Sequence, residues 1–539
     1  MNYLIIPSAS LAPKSIGQLY NIPMVLYPVN GEPIINLILK QYHSEWKSII
    51  SSYRGYETLM QNQNVSKKCQ IIKIDAMKNV GYTICNTLEK IPLTDNDKLI
   101  INFADTVVDN NDLTGNCIVV KASNSINDKW TYLVEEKGQI KTIIDKTLEH
   151  TAIKEKAFLV CGVFSIKKPK TFLNFLRGEE NRLGCNFYRA LKSYSKLYPF
   201  DFVEAQNWLD IGHPDEYFDS KMAIKSRQFN HISFDKDRGI IVKRSDNSAK
   251  LSSEIEWFLK LPKDLQYVTP RIFDYSLDEK DVYVKMEYYQ YPTLLELSLY
   301  GDLNEESWKK IFSKIDFVLK DFSCYKKVDG PIDKALRDIY LDKTLSRLNE
   351  MKNSNSFATF FNNPITINGI RYKSLEKIMD IIPTIVEKYL LNISEFNVIH
   401  GDLCFSNVLI DDKLNFVKLI DPRGSFGEFD IYGDQRYELA KLFHSIDGKY
   451  DYIIKDHFEI SCDGGSINYQ IEKSRIDLYS IAKEVLSERI GFNIKEIEII
   501  EALLFLSMIP LHKECLNHQV AMLATGIIIL NRCVDIKDE

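Results

Sequence analysis

No Cys-x-x-Cys pair occurs in this chain, whose ten cysteines stand singly. That scatter offers neither a zinc knuckle nor a disulfide framework and suits reduced thiols in a cytosol. No dense run of Lys and Arg interleaved with aromatic residues appears, and the net charge is −6, so nucleic acid is not an expected partner. Long apolar stretches are missing too: the longest, Val520 to Leu530, has 11 residues, too few to cross a bilayer. The opening Met1-Asn2-Tyr3-Leu4-Ile5-Ile6-Pro7 lacks the basic segment and the apolar length of a signal peptide. These absences predict a soluble, cytoplasmic protein without membrane insertion. Fixed-period repeats, low-complexity tracts and a Pro/Gly/Ser-rich linker are likewise missing, and nothing in the composition speaks to oligomeric state.

What is present is ordinary globular material: 45% hydrophobic and 26% charged residues, with 29 Tyr and 28 Phe to fill buried cores. A chain of 539 residues exceeds one core, since domains run to roughly 150 residues. Residues 1–220 carry short β-type runs, Tyr3 to Ile6, Ile34 to Leu39, Gln70 to Ile74, Lys98 to Phe103 and Asn116 to Val120, alternating with helical ones. The alternation predicts an α/β domain with a mostly parallel sheet. From about Ser226 the pattern changes to paired short strands, His231 to Phe234, Ile240 to Lys243 and Val282 to Met286, followed by long helical stretches. This predicts an α+β second domain with a small β-rich lobe over 221–300 and a larger helical lobe over 301–539, the seam falling near Lys221 to Arg227.

The densest chemistry lies in Val398-Ile399-His400-Gly401-Asp402-Leu403-Cys404-Phe405-Ser406-Asn407-Val408-Leu409-Ile410, followed by Leu419-Ile420-Asp421. The spacing His-x-Asp-x-x-x-x-Asn, then an apolar strand, then an Asp closing a second apolar strand supplies what ATP-dependent phosphoryl transfer requires. Asp402 is the expected catalytic residue, accepting the proton of an attacking hydroxyl. Asn407 and Asp421 are the expected Mg2+ ligands. A turn capped by His400 and Asp402, with Asn407 merely opening a strand, is the bland alternative. It leaves unexplained the order apolar run, polar loop, apolar run, turn at Asp411-Asp412, apolar run. Cys404 reads as a space-filling residue rather than a nucleophile.

Upstream, the strand Ile240-Ile241-Val242-Lys243 places Lys243 where it can neutralise nucleotide phosphates, and Glu254 on the helical run 251–259 is its expected ion-pair partner, with Glu256 as the fallback. Val284 to Tyr289, including Glu287, reads as the strand whose backbone meets the adenine. These residues resemble the aminoglycoside phosphotransferase and choline kinase family over roughly 226–539. His400 to Asn407 is similar to that family's catalytic loop, Asp421-Pro422-Arg423-Gly424 to its metal loop, and Gly433 to Leu442 to the helix that follows. The resemblance implies ATP, Mg2+ and a small-molecule hydroxyl as phosphate acceptor, a sugar, polyol or amino alcohol. Where the family has a glycine-containing phosphate loop, this sequence has Arg227-Gln228-Phe229-Asn230, with Arg227 as a substitute clamp and Asn230 beside it. Asp430, Tyr432, Asp434, Tyr437 and Glu438 are substrate candidates or helix-cap residues, and Arg423 would suit either an anionic substrate or the nucleotide phosphates.

Within 1–220, Pro23-Met24-Val25-Leu26-Tyr27-Pro28-Val29-Asn30-Gly31-Glu32-Pro33, Phe103-Ala104-Asp105-Thr106 and Trp208-Leu209-Asp210-Ile211-Gly212-His213-Pro214 resemble three ordered segments of the sugar-phosphate nucleotidyltransferase family. The resemblance implies a fold of that type, Asp105 and Asp210 as Mg2+ ligands, and CTP or UTP as the nucleotide. The family's glycine-rich triphosphate loop is here Ser8-Ala9-Ser10-Leu11-Ala12-Pro13-Lys14, and its lysine is Met24. Side chains and Pro13 deny the close N–H approach that a triphosphate needs. The expectation is nucleotide or sugar binding without efficient catalysis, with Lys14 retaining some cationic function. Three readings follow: a small-molecule kinase with an attached nucleotidyltransferase-like domain; a bifunctional enzyme that phosphorylates a hydroxyl and then builds a nucleoside-diphosphate-linked unit; and a non-catalytic nucleotide-binding scaffold. The fusion resembles two-domain proteins of bacterial capsular polysaccharide synthesis, which implies a role in surface-polysaccharide precursors.

Overall fold

The computed structural model describes the chain except residues 15–20, 30, 110–112, 124–125, 127, 147–156, 184–185, 214–215, 218–229, 353, 355, 488–492 and 539. It divides into two units, residues 1–225 with 300–302, and residues 226–299 with 303–539. The expected seam at Lys221 to Arg227 lies outside the described residues.

The first unit is built on a nine-stranded sheet. Strand Asn2–Pro7 runs parallel to Lys47–Ser52 and to Lys98–Asn102, with Tyr3 opposite both Lys47 and Leu99. Its Leu4, Ile5 and Ile6 are fully buried, as a strand covered on both faces requires. Parallel order extends to Gln70–Lys73 and recurs between Cys117–Ser123 and Asp201–Glu204. Elsewhere the sheet departs from the expected mostly parallel arrangement and is mixed. Ala157–Ile166 is antiparallel to three neighbours, and Thr131–Glu136 turns back into Gln139–Asp145. Lys137 and Gly138 make that turn, both at positive φ. Two residues suffice for an antiparallel return, whereas a parallel one needs a crossover of about a dozen. A second correction concerns Ile34–Leu39, which is a helix. It buries Ile34, Ile35 and Ile38, the i, i+1, i+4 spacing of one helical face, and a six-residue run with five apolar residues does not by itself distinguish that from a strand.

The core gathers Tyr3, Ile49, Ile101, Phe164, Phe172, Phe187 and Tyr194 against helices Val80–Glu89, Pro169–Leu183 and Phe187–Ser195. Phe187 meets Phe164 and Phe172 edge-on, at 4.9 and 6.1 Å between ring centroids. What positions the site is a small antiparallel pair outside the main sheet, Thr106–Val108 with Trp208–Asp210, in which Asp210 lies opposite Thr106.

The second unit opens on a four-stranded antiparallel sheet in the order Asn230–Asp235, Ile240–Ser245, Tyr283–Glu287, Ile272–Ser276. Helix Ser248–Lys260 starts at Asn247, whose Oδ1 accepts from the Lys250 N–H at 3.0 Å. It packs Leu251 and Ile255 on Val282, Val284 and Met286 of the sheet. The remainder is mainly helical, with Glu305–Ser323, Leu375–Tyr389, Gln435–Ile446, Ile494–Met508 and Leu516–Cys533 the longest elements. Among the described residues no helix is long and apolar enough to cross a membrane. Strands Val408–Ile410 and Val417–Leu419 form the expected hairpin, and Asp411 Oδ1 ties its turn by accepting from the N–H groups of Asn415 and Phe416. A further sheet of Ile365–Ile367, Ile370–Tyr372, Phe458–Asp463 and Ser466–Ile471 has no counterpart in the sequence reading. Its two hairpins lie far apart along the chain, and two of its strands are only three residues long, below the length at which alternation is legible.

Candidate functional site

In the second unit, Lys243 points from its strand into the buried space beside helix 248–260. Its Nζ donates to Glu254 Oε1 at 2.8 Å and Oε2 at 2.7 Å, and to Asp421 Oδ1 at 2.7 Å. The fallback Glu256 is elsewhere, on the solvent face, paired with Lys260 at 2.8 Å. Burial works against the Lys243 charge, but Asp421 and Glu254 outweigh it and hold the ammonium above its usual range. Glu254 is pushed up to about 7 by burial and by Asp421, with Lys243 opposing. Given two short hydrogen bonds to a lysine, we read the pair as ionised. Asp421 itself sits at φ 56°, a left-handed conformation uncommon outside glycine and concentrated at functional sites. Gly424, three residues on at φ +79°, packs so closely that a Cβ there would strike the Ser253 carbonyl oxygen. The segment from Asp421 to Gly424 is thereby fixed against the helix that carries Glu254.

The loop His400 to Asn407 is braced from below. Glu438, fully buried, accepts from the N–H groups of His400 at 2.9 Å and Gly401 at 2.6 Å. His400 Nε2 lies 3.0 Å from the Ile420 carbonyl, which only a protonated Nε2 can approach as a donor, leaving Nδ1 to accept from the Asp402 N–H at 3.3 Å. Burial lowers this imidazole to about 4, so it is neutral and serves to align the loop. Asn407 Nδ2 donates to Asp402 O at 2.9 Å and Oδ2 at 3.1 Å. Asp402 Oδ1 pairs with Lys441 Nζ at 2.9 Å. Burial alone would raise the Asp402 carboxyl, but Lys441 overcomes it and the group lies below its ordinary value. The oxygen donors of Asn407 and Asp421 suit a hard divalent cation such as Mg2+. Cys404 is buried, and its thiol is pushed up to about 12 by burial, which leaves it inert at neutral pH.

The remaining sequence candidates separate cleanly. Glu287 lies in strand Tyr283–Glu287, but its N–H donates to the Arg271 carbonyl at 2.9 Å and its Oε2 accepts from the Tyr289 hydroxyl at 2.7 Å. Those two groups are therefore committed within the unit. Arg227 and the side chain of Asn230 lie outside the described residues. Asp434 caps helix 435–446, pairs with Arg436 at 2.8 Å and accepts from the Tyr340 hydroxyl at 2.7 Å. With Glu438 spent on the loop backbone, both carboxylates serve structure. Asp430 Oδ1 accepts from the Ile431 N–H at 2.7 Å. Tyr437 is buried and accepts from Arg423 at 2.8 Å. The sequence reading missed Lys441 as a partner of Asp402. Its position one helical turn after Glu438 is the signal that would have found it.

In the first unit Asp105 and Asp210 do come together. Gly212 marks the approach: a Cβ there would lie 2.6 Å from Asp105 Oδ2, while its N–H donates to Asp210 Oδ1 at 2.8 Å. Asp210 Oδ2 also accepts from Trp130 Nε1 at 2.6 Å and faces His213 Nδ1 at 2.8 Å. Burial and the Asp210 charge push Asp105 up to about 6, with His213 and Lys146 as weaker counterweights. The hydrogen bond to Asp210 raises His213 above its ordinary value. Two carboxylates held this close, with one of them resisting ionisation, form a donor set that fits a divalent cation. Trp130, His213 and Lys146 were not singled out as site residues from sequence. His213 follows Asp210 by three residues in the same segment, a spacing that could have marked it, whereas no spacing rule links Trp130 or Lys146 to Asp210. Met24 is 6% exposed in a short helical turn, Met24–Leu26, and Ser8 is buried with its hydroxyl lacking a hydrogen-bond partner.

No protein-family profile matches the chain, and no curated protein does. Several solved structures are similar to part of it. A UDP-glucose pyrophosphorylase complexed with UDP-glucose shares 14% identity over 41% of this chain and 98% of its own, at a TM-score of 0.34. The inositol-1-phosphate CTP transferase of T. maritima shares 15% over 42% and 97%, at 0.32. The CTP:phosphocholine cytidylyltransferase of Streptococcus pneumoniae shares 17% over 42% and 100%, at 0.33. Likeness at this level carries no statement about activity.

Proposed function

We propose that the 226–539 unit is an ATP- and Mg2+-dependent phosphotransferase acting on a hydroxyl of a small molecule, and that the 1–225 unit binds a nucleotide, CTP or UTP. The observation that carries the first part is the closed set Lys243, Glu254 and Asp421, joined through the Ile420 carbonyl and His400 to Asp402. Phosphoryl transfer demands positioning and charge neutralisation more than covalent chemistry. Lys243, oriented by Glu254, is placed to meet nucleotide phosphates, and a cation held by Asn407 and Asp421 would neutralise the charge that develops on them. Asp402 accepts the proton of the acceptor hydroxyl. The acceptor oxygen bonds to the γ-phosphorus, the β–γ bridging bond breaks, and ADP leaves. An ionised Asp402 held low by Lys441 is a weak base, which suits a proton that departs late. The acceptor is a sugar, polyol or amino alcohol, and surface-polysaccharide precursor synthesis is the setting in which the two units would serve one pathway.

The pairing of Asp105 with Asp210 favours a second reading, in which the first unit transfers a nucleotide to the phosphorylated product and releases pyrophosphate. The likeness of three ordered segments to sugar-phosphate nucleotidyltransferases agrees with it; buried Met24 and exposed Pro13 weigh against fast turnover. Mass spectrometry of a metabolite pool incubated with Mg2+, ATP, CTP and UTP separates the readings. A phosphorylated species formed by wild type and missing with Asp402→Asn supports the kinase. A nucleotide-linked species beside it, missing with Asp105→Asn, supports the second activity. Nucleotide binding without any new species would leave the scaffold.

A further inference from the structure

Beside Asp402 lies a group of cations that the phosphotransferase reading does not use. Arg423 NH1 donates to the Tyr437 hydroxyl at 2.8 Å and its guanidinium stands 5.8 Å from that ring's centroid, while Lys343 Nζ stands 5.4 Å from the same ring. Arg347, one turn after Lys343 on helix Lys343–Lys352, donates from NH1 to the Ser507 carbonyl at 3.2 Å. Among the described residues no carboxylate forms an ion pair with Lys343, Arg347 or Arg423; Glu350 bears on Arg347, and Asp402 on Arg423, only at longer range. The carboxylates nearest in the fold are engaged, Asp402 by Lys441, Glu438 by the loop backbone and Asp434 by Arg436. A small recess here is lined by Tyr340, Lys343, Thr344, Tyr437 and Ser507 and by apolar Ile339, Ile500, Leu503 and Leu504, with Arg347 and Arg423 outside its lining. The turn feeding it, Arg337–Asp342, is π-helical, a wide turn that recurs at functional sites.

Cations gathered in a poorly solvated place without counter-charges cost stability, so their retention needs an anion. Burial, joined by Arg423, Arg347 and Lys441 and opposed by Tyr437, drags the Lys343 ammonium down to about 8. Burial would raise the Tyr437 hydroxyl, yet Lys343, Arg423 and Lys441 bring it down to about 8. Both groups report the same positive field, which Tyr437 and Asp402 offset only in part. The nucleotide does not supply the missing anion, because the set Lys243, Glu254 and Asp421 is already closed and helix 343–352 carries none of it.

We propose that the phosphate acceptor bears, besides its reactive hydroxyl, an anionic group, a phosphate or a carboxylate, seated between Lys343, Arg347 and Arg423. This rests on the phosphotransferase reading of the same site. It selects against plain amino alcohols and neutral polyols, and it holds the hydroxyl toward Asp402 through a charge-assisted grip.

Calorimetry on the full chain tests it. Inorganic phosphate, glycerate and glycerol are titrated separately into protein saturated with Mg2+ and a non-hydrolysable ATP analogue, using wild type, Lys343→Met and Arg347→Met. The expected result is binding of phosphate or glycerate, whichever anion the site prefers, weakened at least tenfold in both variants, with analogue affinity unchanged and no glycerol binding. Equal anion affinity in wild type and variants, or no anion binding to wild type, overturns the proposal. The two substitutions are independent, so failure of one to fold leaves the other as the test. Absence of analogue binding would count against the phosphotransferase reading alone, since the anion titrations are read equally on protein without nucleotide.

Discussion

Glu254, Asp402, Asp421 and Glu438 in the second unit each have an ammonium or two backbone donors within hydrogen-bond reach. In the first unit Asp105 has burial and Asp210 against it, and a backbone hydrogen bond with the more distant His213 and Lys146 offsets them only in part. The second unit thus holds its charges in place before any ligand arrives, as preorganised catalysis requires. The first leaves a carboxylate pair whose repulsion a divalent cation would relieve. Enzyme-like residues can therefore be equally recognisable in sequence and differ in how far the surrounding fold has prepared them.

Breaking the closed set should have the largest effect. In Lys243→Met, Glu254 and Asp421 lose their cation while Glu254 stays buried, and removing one partner of a buried pair costs about 3–5 kcal/mol. Urea unfolding of the second-unit transition should show that loss at neutral pH, together with weaker ATP binding. Retained stability and affinity would mean that the triad is not the organising feature.

The first unit should respond in the opposite sense. A carboxyl raised from 3.8 to about 6 in the folded state binds its proton more tightly there than in the unfolded chain. Stability then falls as pH rises between those values and stays lower above them. Asp105→Asn should remove that loss, stabilising the unit above pH 6 by on the order of 3 kcal/mol at about 1.4 kcal/mol per pKa unit, and leaving it little changed near pH 4. Asp210, His213 and Lys146 all face this carboxyl, so thermal unfolding of the single variant across pH reads their net effect. Destabilisation at pH 7 would refute the assigned direction.

A smaller effect is expected from Trp130→Phe, which deletes the donor to Asp210 Oδ2 and keeps most of the ring. A hydrogen bond to a charged group contributes about 1.5 kcal/mol. Calorimetric unfolding should shift by that amount, and Mg2+ should restore part of it.

How much of this was legible in sequence follows from the range of the signals. The arrangement of the loop His400 to Asn407 was, because eight consecutive residues carry both its polar groups and its turn. Lys243 and Glu254 were, because one strand and one helix separated by 11 positions pair locally. The mixed character of the first sheet was not, since alternating apolar runs do not encode whether a neighbour runs parallel. The helix at Ile34–Leu39 was misread for want of length. Trp130, Lys146, Lys343 and Arg347 were invisible as site residues, because each reaches its site from an element distant in sequence that no motif marks.

The most direct test of the central claim follows which phosphorus of ATP moves. Wild type and Asp402→Asn are incubated with Mg2+ and a small-metabolite extract, with ATP labelled in separate reactions at the γ- and the α-phosphorus. The account predicts γ-label in a new small-molecule product, unlabelled ADP beside it, and loss of that product by a factor of about 100 or more with Asp402→Asn. Product carrying α-label, or γ-label incorporated equally by the Asp402→Asn protein, would contradict it.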